Sequence, residues 1–168
     1  MKIMTAAEAV QLINSGESIY IQGSTSIPEV LSQALADRGA ELKDVTIYAA
    51  FAVGRCEAPY CRPEYKDSFN VKSLFVANNV RRWLAEGYGS TIPAFLGEIP
   101  GLFRDGTLPL DAVFLNVSPP SEDGYCSFGI SADLAVSATE CARKVIVQVN
   151  KAMPFSYGDA LIHVSRID

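Results

Sequence analysis

Short apolar runs alternate with helical patterns along the chain, and this alternation predicts an α/β fold. Five runs have the length and the β-branched and aromatic content of buried strands, at residues 18–22, 44–49, 71–76, 111–117 and 144–149. Helical patterns follow Pro28 and cover residues 79–86, 95–104 and 132–143. The strand, helix and strand over residues 111–149 form a βαβ unit, which needs a parallel sheet. We therefore predict a mostly parallel sheet with helices on both faces.

The two ends of the chain and one central stretch add to this pattern. Thr5 and Glu8 have the spacing of a capping box, so we expect a first helix that begins there. Periodicity is lost over residues 51–68, which we interpret as an irregular loop. Residues 159–164 predict a last strand, and the chain stops soon after it without a helix stop. We therefore expect a fragment of a longer protein.

A structured loop over residues 118–131 separates a buried strand from a helix. Pro119 and Pro120 stiffen its start, and Gly124 allows a turn at positive φ. The loop follows the carboxyl end of a strand, where open α/β sheets usually bind their ligands. We interpret it as a site loop.

An earlier loop, Gly23 to Ser26, leads from the first strand toward the helix that follows Pro28; it is the first loop in chain order, and the loop over residues 118–131 is the second. A small-residue loop at a helix N-terminus directs backbone N–H groups outward and can hold an anion or an oxyanion. The pattern alone favours a plain strand-to-helix turn, because the loop has no Walker-type lysine and no complete Gly-x-Gly-x-x-Gly. We expect both loops to lie at the same edge of one sheet.

Composition limits the classes of partner. The 168 residues suffice for one domain, and a hydrophobic share of 49% is typical of a globular protein. The net charge of −5 argues against nucleic acid and anionic membranes as partners. No apolar run has the length of a membrane span, and the N-terminus lacks a signal-peptide core, so we expect a cytoplasmic protein.

Cysteine and histidine give little support for a metal site or a catalytic triad. The four cysteines, at 56, 61, 126 and 141, do not have the paired spacing of zinc ligands, so we predict no metal site. The one histidine, His163, lies in an apolar strand pattern and is best interpreted as a strand-face residue.

Several short motifs, taken together and in order, resemble the acetyl-CoA hydrolase/transferase family, which includes 4-hydroxybutyrate CoA-transferases. The motifs are Gly-Glu-Ile-Pro at 97–100, Leu-Phe at 102–103, Leu-Pro-Leu-Asp at 108–111, Val-Ser-Pro-Pro at 117–120, Gly-Tyr-Cys-Ser at 124–127, Gln-Val-Asn at 148–150 and Ile-His-Val-Ser at 162–165. The resemblance implies an α/β domain of the NagB/RpiA/CoA-transferase-like fold. It also implies that residues 1–168 are the N-terminal domain and lack the C-terminal catalytic domain.

The family's chemistry supplies candidate site residues. A glutamate of the second domain attacks the thioester of an acyl-CoA, and a glutamyl-CoA thioester forms. Gly23, Ser24 and Thr25 match the family's glycine loop, so their amides are candidate oxyanion donors, and no catalytic side chain is expected in this chain. Residues of the second loop are candidates for substrate or CoA binding: Ser118, Pro119, Gly124 and Tyr125.

The resemblance also implies the partners. They are an acyl-CoA, a small carboxylate, and the C-terminal domain of the same protein or a partner subunit, and we expect a homo-oligomer. Coenzyme A enters as a substrate thioester, and no cofactor is held permanently. Because half of the molecule would be missing, we expect an exposed apolar face.

Departures from the family pattern concern Gly97, where Ser is common, Ser121, where Asp is common, and residues 155–157 before Gly158. Three acidic residues are alternative catalytic carboxylates: Glu98, Glu122 and Asp123. A capping or interdomain contact for Glu98, and a solvated loop for the other two, are the preferred interpretations. An acetyl-CoA hydrolase, a non-catalytic subunit that supplies half of a site, and a sugar-phosphate isomerase on a related fold remain alternatives.

Overall fold

Six parallel strands form the central sheet of the computed structural model, which describes residues 2–53 and 58–168. In chain order they are β1 (Ser18–Ile21), β2 (Val45–Ala49), β3 (Phe69–Ser73), β4 (Ser90–Thr91), β5 (Ala112–Val117) and β7 (Lys144–Val149). Their spatial order is β4-β3-β2-β1-β5-β7, and every neighbouring pair is parallel. The predicted parallel sheet is confirmed.

Five α-helices cover the two faces of this sheet. They are α1 (Ala6–Ala9), α2 (Glu29–Asp37), α3 (Asn78–Ala85), α4 (Ile99–Arg104) and α5 (Ala135–Cys141). Helices α1, α2 and α3 share one apolar cluster with Ile19 and Ile21 of β1. Helices α4 and α5 share the other cluster with Tyr20, which points to the opposite face because side chains alternate along a strand. Helices on both faces are therefore confirmed.

The first helix begins as the sequence predicts and covers four residues. The Thr5 hydroxyl accepts from the Glu8 N–H at 3.3 Å, and the Glu8 carboxylate accepts from the Thr5 N–H at 2.8 Å. After Ala9 the chain tightens into a 3₁₀ turn, Val10–Leu12. The capping box therefore sets the start of the helix.

The last predicted strand differs most from expectation. Residues 161–163 form β8 (Leu161–His163), which pairs antiparallel with β6 (Tyr125–Ser127) in a separate two-stranded sheet. A 3₁₀ turn, Val164–Arg166, follows, and the Asp168 N–H donates to the Val145 carbonyl of β7 at 3.0 Å. The site loop thus contains a strand that the sequence pattern did not predict, because three residues are too few to show a period.

Bonds between strand starts hold the amino edge of the sheet. The Asp111 carboxylate accepts from the Ser18 N–H at 2.9 Å, and Lys144 Nζ contacts Glu17 at 2.6 Å and the Leu12 carbonyl at 2.7 Å. Among the described residues no helix has the length and apolarity to cross a membrane.

Candidate functional site

The two predicted site loops lie at the same edge of the sheet. Strands β1 and β5 are adjacent and parallel, with Ile21 opposite Phe114. The loop that begins at Gln22 and the loop that begins at Ser118 both follow the carboxyl ends of these strands. The expectation that they share one edge is confirmed.

Gly23 is a glycine because a side chain has no room there. A Cβ at Gly23 would lie 2.6 Å from the Cβ of Ala50 and 2.7 Å from the Phe51 carbonyl oxygen. Both atoms belong to the segment that follows β2. Glycine is therefore required at this position because two loops pack closely together there.

Ser24 adopts a left-handed backbone conformation and is bonded to the same segment. Its φ is 58°, a region that residues other than glycine rarely occupy. Its N–H donates to the Phe51 carbonyl at 2.6 Å, and its carbonyl accepts from the Val53 N–H at 3.0 Å. The Ser24 amide, one of the candidate oxyanion donors, is therefore occupied by the protein itself.

Thr25 is the exposed member of the three candidates. Within residues 2–53 and 58–168 its backbone N–H has no hydrogen-bond partner, and its hydroxyl lies 3.3 Å from the hydroxyl of Ser131. A turn N–H that has no partner and is held by contacts on both sides of the turn is the kind of preorganised donor that an oxyanion requires. Of the three amides, Thr25 has the one best placed to meet a substrate.

Gln22 joins the two site loops from below. Its side chain is fully buried, and its Nε2 donates to the Ser131 carbonyl at 2.8 Å. Its Oε1 accepts from the Asn116 N–H at 2.7 Å. Sequence reasoning missed Gln22 as a site residue. A polar residue directly after an apolar strand was the available signal.

The N-terminus of α2 is closed to an anion by a side chain from β7. Oε1 of Gln148 accepts from the Val30 N–H at 3.0 Å and from the Leu31 N–H at 3.4 Å. These are orphan amides of the first helical turn, which need a partner. The interpretation of this junction as a plain strand-to-helix turn fits these bonds.

Ser118 and Pro119 shape the second loop from inside. Ser118 is buried; its hydroxyl accepts from the Ser127 N–H at 2.9 Å and donates to the Pro119 carbonyl at 2.9 Å. The ring of Pro119 is exposed. The hydroxyl of Ser118 is thus occupied by loop bonds, so a role in binding would be indirect.

Gly124 and Tyr125 lie where the loop turns back. Gly124 has a φ of 80°, and a Cβ there would lie 2.9 Å from Nε2 of His163. The Ser121 hydroxyl accepts from the Tyr125 N–H at 3.1 Å, so Ser121 orients this turn. The Tyr125 ring meets the His163 ring edge-on at 5.0 Å, which places His163 on a strand face, as the sequence indicated.

A shallow groove of about 230 Å³ lies beside this turn. Exposed and half-buried groups of the second loop and of the segment after β7 line it: Ser121, Asp123, Tyr125, Phe155, Tyr157 and Leu161. Among the residues named for binding, Tyr125 alone faces this groove.

Within residues 2–53 and 58–168, three buried polar atoms near the ends of β1 and β5 have no hydrogen-bond partner: Tyr20 Oη, Ser26 Oγ and Asn116 Oδ1. Burial raises the pKa of Tyr20 far above that of an ordinary phenol; the Asp133 carboxylate adds to the shift and the Gly23 backbone N–H opposes it. Unsatisfied buried groups are uncommon in proteins, and here they gather at the candidate site.

The alternative acidic residues are exposed and take part in local contacts at most. The Glu98 carboxylate accepts from the Phe95 N–H at 3.1 Å, one turn before α4, while Glu122 and Asp123 are solvent-exposed. The described residues contain no group of three His, Cys, Asp or Glu side chains that could hold a metal ion. Burial raises the pKa of the Cys61 thiol to about 11; Cys56 lies outside the described residues.

Comparison with known proteins identifies the family. The profile of the acetyl-CoA hydrolase/transferase N-terminal domain matches residues 1–168. The chain is 35% identical to the 4-hydroxybutyrate coenzyme A transferase of Clostridium kluyveri over 167 residues, which are 99% of this chain and 38% of that protein. It is 31% identical to the butyryl-CoA:acetate CoA-transferase of Anaerostipes caccae, again over 99% of this chain and 38% of the relative.

Solved structures give the same result. The crystal structure of RipA from Yersinia pestis superposes with a TM-score of 0.91 at 28% identity, over 99% of this chain and 41% of that one. A 4-hydroxybutyrate CoA-transferase from Porphyromonas gingivalis superposes with a TM-score of 0.81 at 32% identity, over 99% and 38%. The chain therefore belongs to the acetyl-CoA hydrolase/transferase N-terminal domain family, and it spans about 40% of the length of these relatives.

Proposed function

We propose that this member of the acetyl-CoA hydrolase/transferase N-terminal domain family is the N-terminal half of an acyl-CoA:carboxylate CoA-transferase, of the acetate or 4-hydroxybutyrate type. The observation that carries the proposal is the family match over the whole chain. The meeting of the Gly23 loop and the Ser118 loop at one sheet edge supports it.

The proposed reaction proceeds through a covalent enzyme–CoA thioester. A glutamate carboxylate of a C-terminal domain attacks the thioester carbonyl, and the CoA thiolate leaves as an acyl-glutamyl anhydride forms. The thiolate then attacks the glutamyl carbonyl and releases the free acid, which leaves a glutamyl-CoA thioester. A second carboxylate reverses both steps and takes the CoA.

Each tetrahedral intermediate in this sequence carries an oxyanion that needs fixed N–H donors. In this chain the Thr25 amide is the donor we assign to that role. The Gly23 and Ser24 positions contribute by holding the turn, since Ser24 donates its N–H to Phe51 and Gly23 packs against Ala50.

Exposed apolar side chains support a second domain packed on the carboxyl edge. Phe75, Phe95 and Leu96 are 60%, 80% and 55% exposed and follow the carboxyl ends of β3 and β4. Phe75 also meets the ring of Phe51 at 5.5 Å, beyond the end of β2. Apolar surface of this kind is typical of an interface. We propose that a C-terminal domain, of the same protein or of a partner subunit, covers it.

The test compares the isolated 168-residue chain with a protein that includes the C-terminal domain. The longer protein should exchange CoA between acetyl-CoA and 4-hydroxybutyrate or butyrate, and hydroxylamine should trap its glutamyl thioester. The isolated chain should show no turnover, because no attacking carboxylate is proposed within it. Turnover by the isolated chain that is abolished by Glu98→Gln or Asp123→Asn would contradict the proposal.

The same assay separates the alternatives. Release of CoA to water without an acceptor acid would indicate an acetyl-CoA hydrolase. Dependence on a separately added subunit would indicate that this chain supplies half of a site. A sugar-phosphate isomerase is disfavoured because the Gly23 loop has no basic residue and the α2 amides are capped by Gln148. We also propose a cytoplasmic homo-oligomer, as the sequence predicts.

A further inference from the structure

Gln22 directly follows β1, and its side chain bonds both β5 and the loop after β5. It is fully buried at the end of β1, and its amide bonds in two directions, to the Ser131 carbonyl at 2.8 Å and from the Asn116 N–H at 2.7 Å. A buried amide is costly to desolvate unless such bonds are made. With both made, Gln22 fixes residue 131 relative to β1 and β5.

Ser131, held by Gln22, in turn contacts Thr25. The carbonyl of Ser131 accepts from Gln22, and its hydroxyl lies 3.3 Å from the hydroxyl of Thr25. Ser131 is itself buried. Gln22 and Thr25, which are three residues apart, therefore both contact Ser131 of the other loop. The three residues form one connected contact network.

The opposite side of the loop is fixed by the segment after β2. Ser24 is held at a φ of 58° by bonds to Phe51 and Val53, and Gly23 is pressed against Ala50. The turn is thus attached on its β2 side through the backbone and on its β5 side through Gln22 and Ser131. Thr25, between these attachments, is an exposed residue whose N–H has no partner in the described part of the chain.

We propose that Gln22 is a positioning residue, which acts through Ser131 to aim the Thr25 backbone N–H at the oxyanion of the reacting thioester. The proposal rests on the proposed CoA transfer. Gln22 does not touch the substrate, because it is buried beneath the loop. Its contribution is geometric: a donor displaced by about 1 Å can lower a rate on the order of 10²-fold.

Gln148 provides a matched control. Like Gln22, it is a glutamine near the carboxyl end of a parallel strand, and its side chain takes part in two hydrogen bonds. Those bonds, at 3.0 and 3.4 Å, cap α2. Gln22→Leu and Gln148→Leu each remove one amide of the same type. Only Gln22→Leu removes a hydrogen bond to Ser131, the residue that contacts Thr25.

In the protein that includes the C-terminal domain, Gln22→Leu should lower kcat about 10²-fold and leave KM for the acyl-CoA within about twofold. Gln148→Leu should lower the melting temperature and leave kcat unchanged. Ser131→Ala keeps the carbonyl that Gln22 bonds and removes only the hydroxyl contact to Thr25, so a smaller fall, about tenfold, is expected. Ser131→Ala also provides the test if Gln22→Leu does not fold.

A readout without catalysis uses the 168-residue chain alone. In an amide hydrogen-exchange and ¹⁵N NMR comparison, Gln22→Leu should shift the Thr25 and Ser131 amide signals, and Gln148→Leu should shift those of Val30 and Leu31 instead. A Thr25 signal unchanged by Gln22→Leu overturns the proposal, as does a fall in kcat no larger than that of Gln148→Leu. If the longer wild-type protein transfers no CoA, the proposed function fails, and the Thr25 signal still decides whether Gln22 fixes that amide.

Discussion

The two edges of the central sheet are built differently. At the amino edge, charged and polar side chains join neighbouring elements and satisfy one another: Ser18 with Asp111, Lys144 with Glu17, and Arg38 with the carbonyls of Val10 and Ile13. At the carboxyl edge, Ser24 is held in a left-handed conformation, and Tyr20 and Asn116 bury polar atoms that have no hydrogen-bond partner in the described part of the chain. Large apolar side chains are also exposed there.

This difference indicates where stability and function lie. Polar side chains at the amino edge bond one another and so stabilise the fold. Few of their polar groups are left to bind a ligand. Strain, orphan polar groups and exposed apolar surface are costs that proteins usually retain at functional sites. Left-handed residues do not by themselves distinguish the edges, because Asp44, before β2, has a φ of 56°. The carboxyl edge is distinguished because it combines a left-handed residue with buried polar atoms and exposed apolar side chains.

The largest expected effect is that of Gly23→Val at the carboxyl edge. A Cβ there lies 2.6 Å from Ala50 and 2.7 Å from the Phe51 carbonyl oxygen, and a branched side chain adds to the overlap. We expect a loss of about 3 kcal/mol or more in the free energy of unfolding, measured by urea denaturation. Gly101→Ala is the control, because nothing lies within 4 Å of its Cβ position in α4; it should be neutral or stabilising. An unchanged stability for Gly23→Val would show that the loops are not in contact.

Arg38→Met tests the amino edge. Its Nη1 donates to the Val10 carbonyl and, at 3.0 Å, to the Ile13 carbonyl, and the side chain is largely buried. Because two carbonyls lose their donor, we expect a loss of about 1–3 kcal/mol in urea denaturation. The exposed Arg143, 3.5 Å from Asp111, is the control; Arg143→Met should cost less than about 0.5 kcal/mol. Equal losses in the two variants would contradict the role of the Arg38 bonds.

Acid should weaken the amino edge through Glu17. Burial alone would raise its pKa, but hydrogen bonds from Lys144 and Asn14 outweigh burial and hold the pKa below its ordinary value. A carboxyl whose pKa is lower in the folded state contributes stability above its unfolded pKa and loses it as pH falls through the folded pKa. Unfolding free energies measured from pH 6 to pH 3 should therefore fall less steeply in Lys144→Met than in the wild type. Identical slopes would show that the pair is not formed.

Ser24→Gly gives the smallest expected effect. Glycine relieves the left-handed conformation at a φ of 58°, which costs other residues about 1 kcal/mol. The gain is partly offset by the greater freedom of glycine in the unfolded chain. We therefore expect the free energy of unfolding to rise by between about 0 and 0.5 kcal/mol. Thermal unfolding measures it, with Asp44→Gly as the matched variant at the amino edge. A loss above about 1 kcal/mol would reveal a role for the Ser24 side chain.

Local pattern was sufficient for five of the six parallel strands and for the shared edge of the two loops, but not for the two-residue β4 or the three-residue β6. Buried strands of a parallel sheet are continuous apolar runs, and a helix between two of them fixes their direction. The start of α1 was equally local, since Thr5 and Glu8 are three residues apart. The family resemblance rested on short motifs that keep their order along the chain, and the comparisons confirmed it.

Only the tertiary structure decided which groups of the site are free. Gln22 meets Ser131 across 109 residues and Gln148 meets the α2 amides across 118, and neither contact leaves a local pattern. Gly23 was a candidate for its amide, but its lack of a side chain is explained by Ala50, a residue of another loop. The sequence determined which residues reach the carboxyl edge, because that depends on local periodicity. Packing between distant segments determined that the Ser24 amide is occupied and that the Thr25 amide has no partner among the described residues.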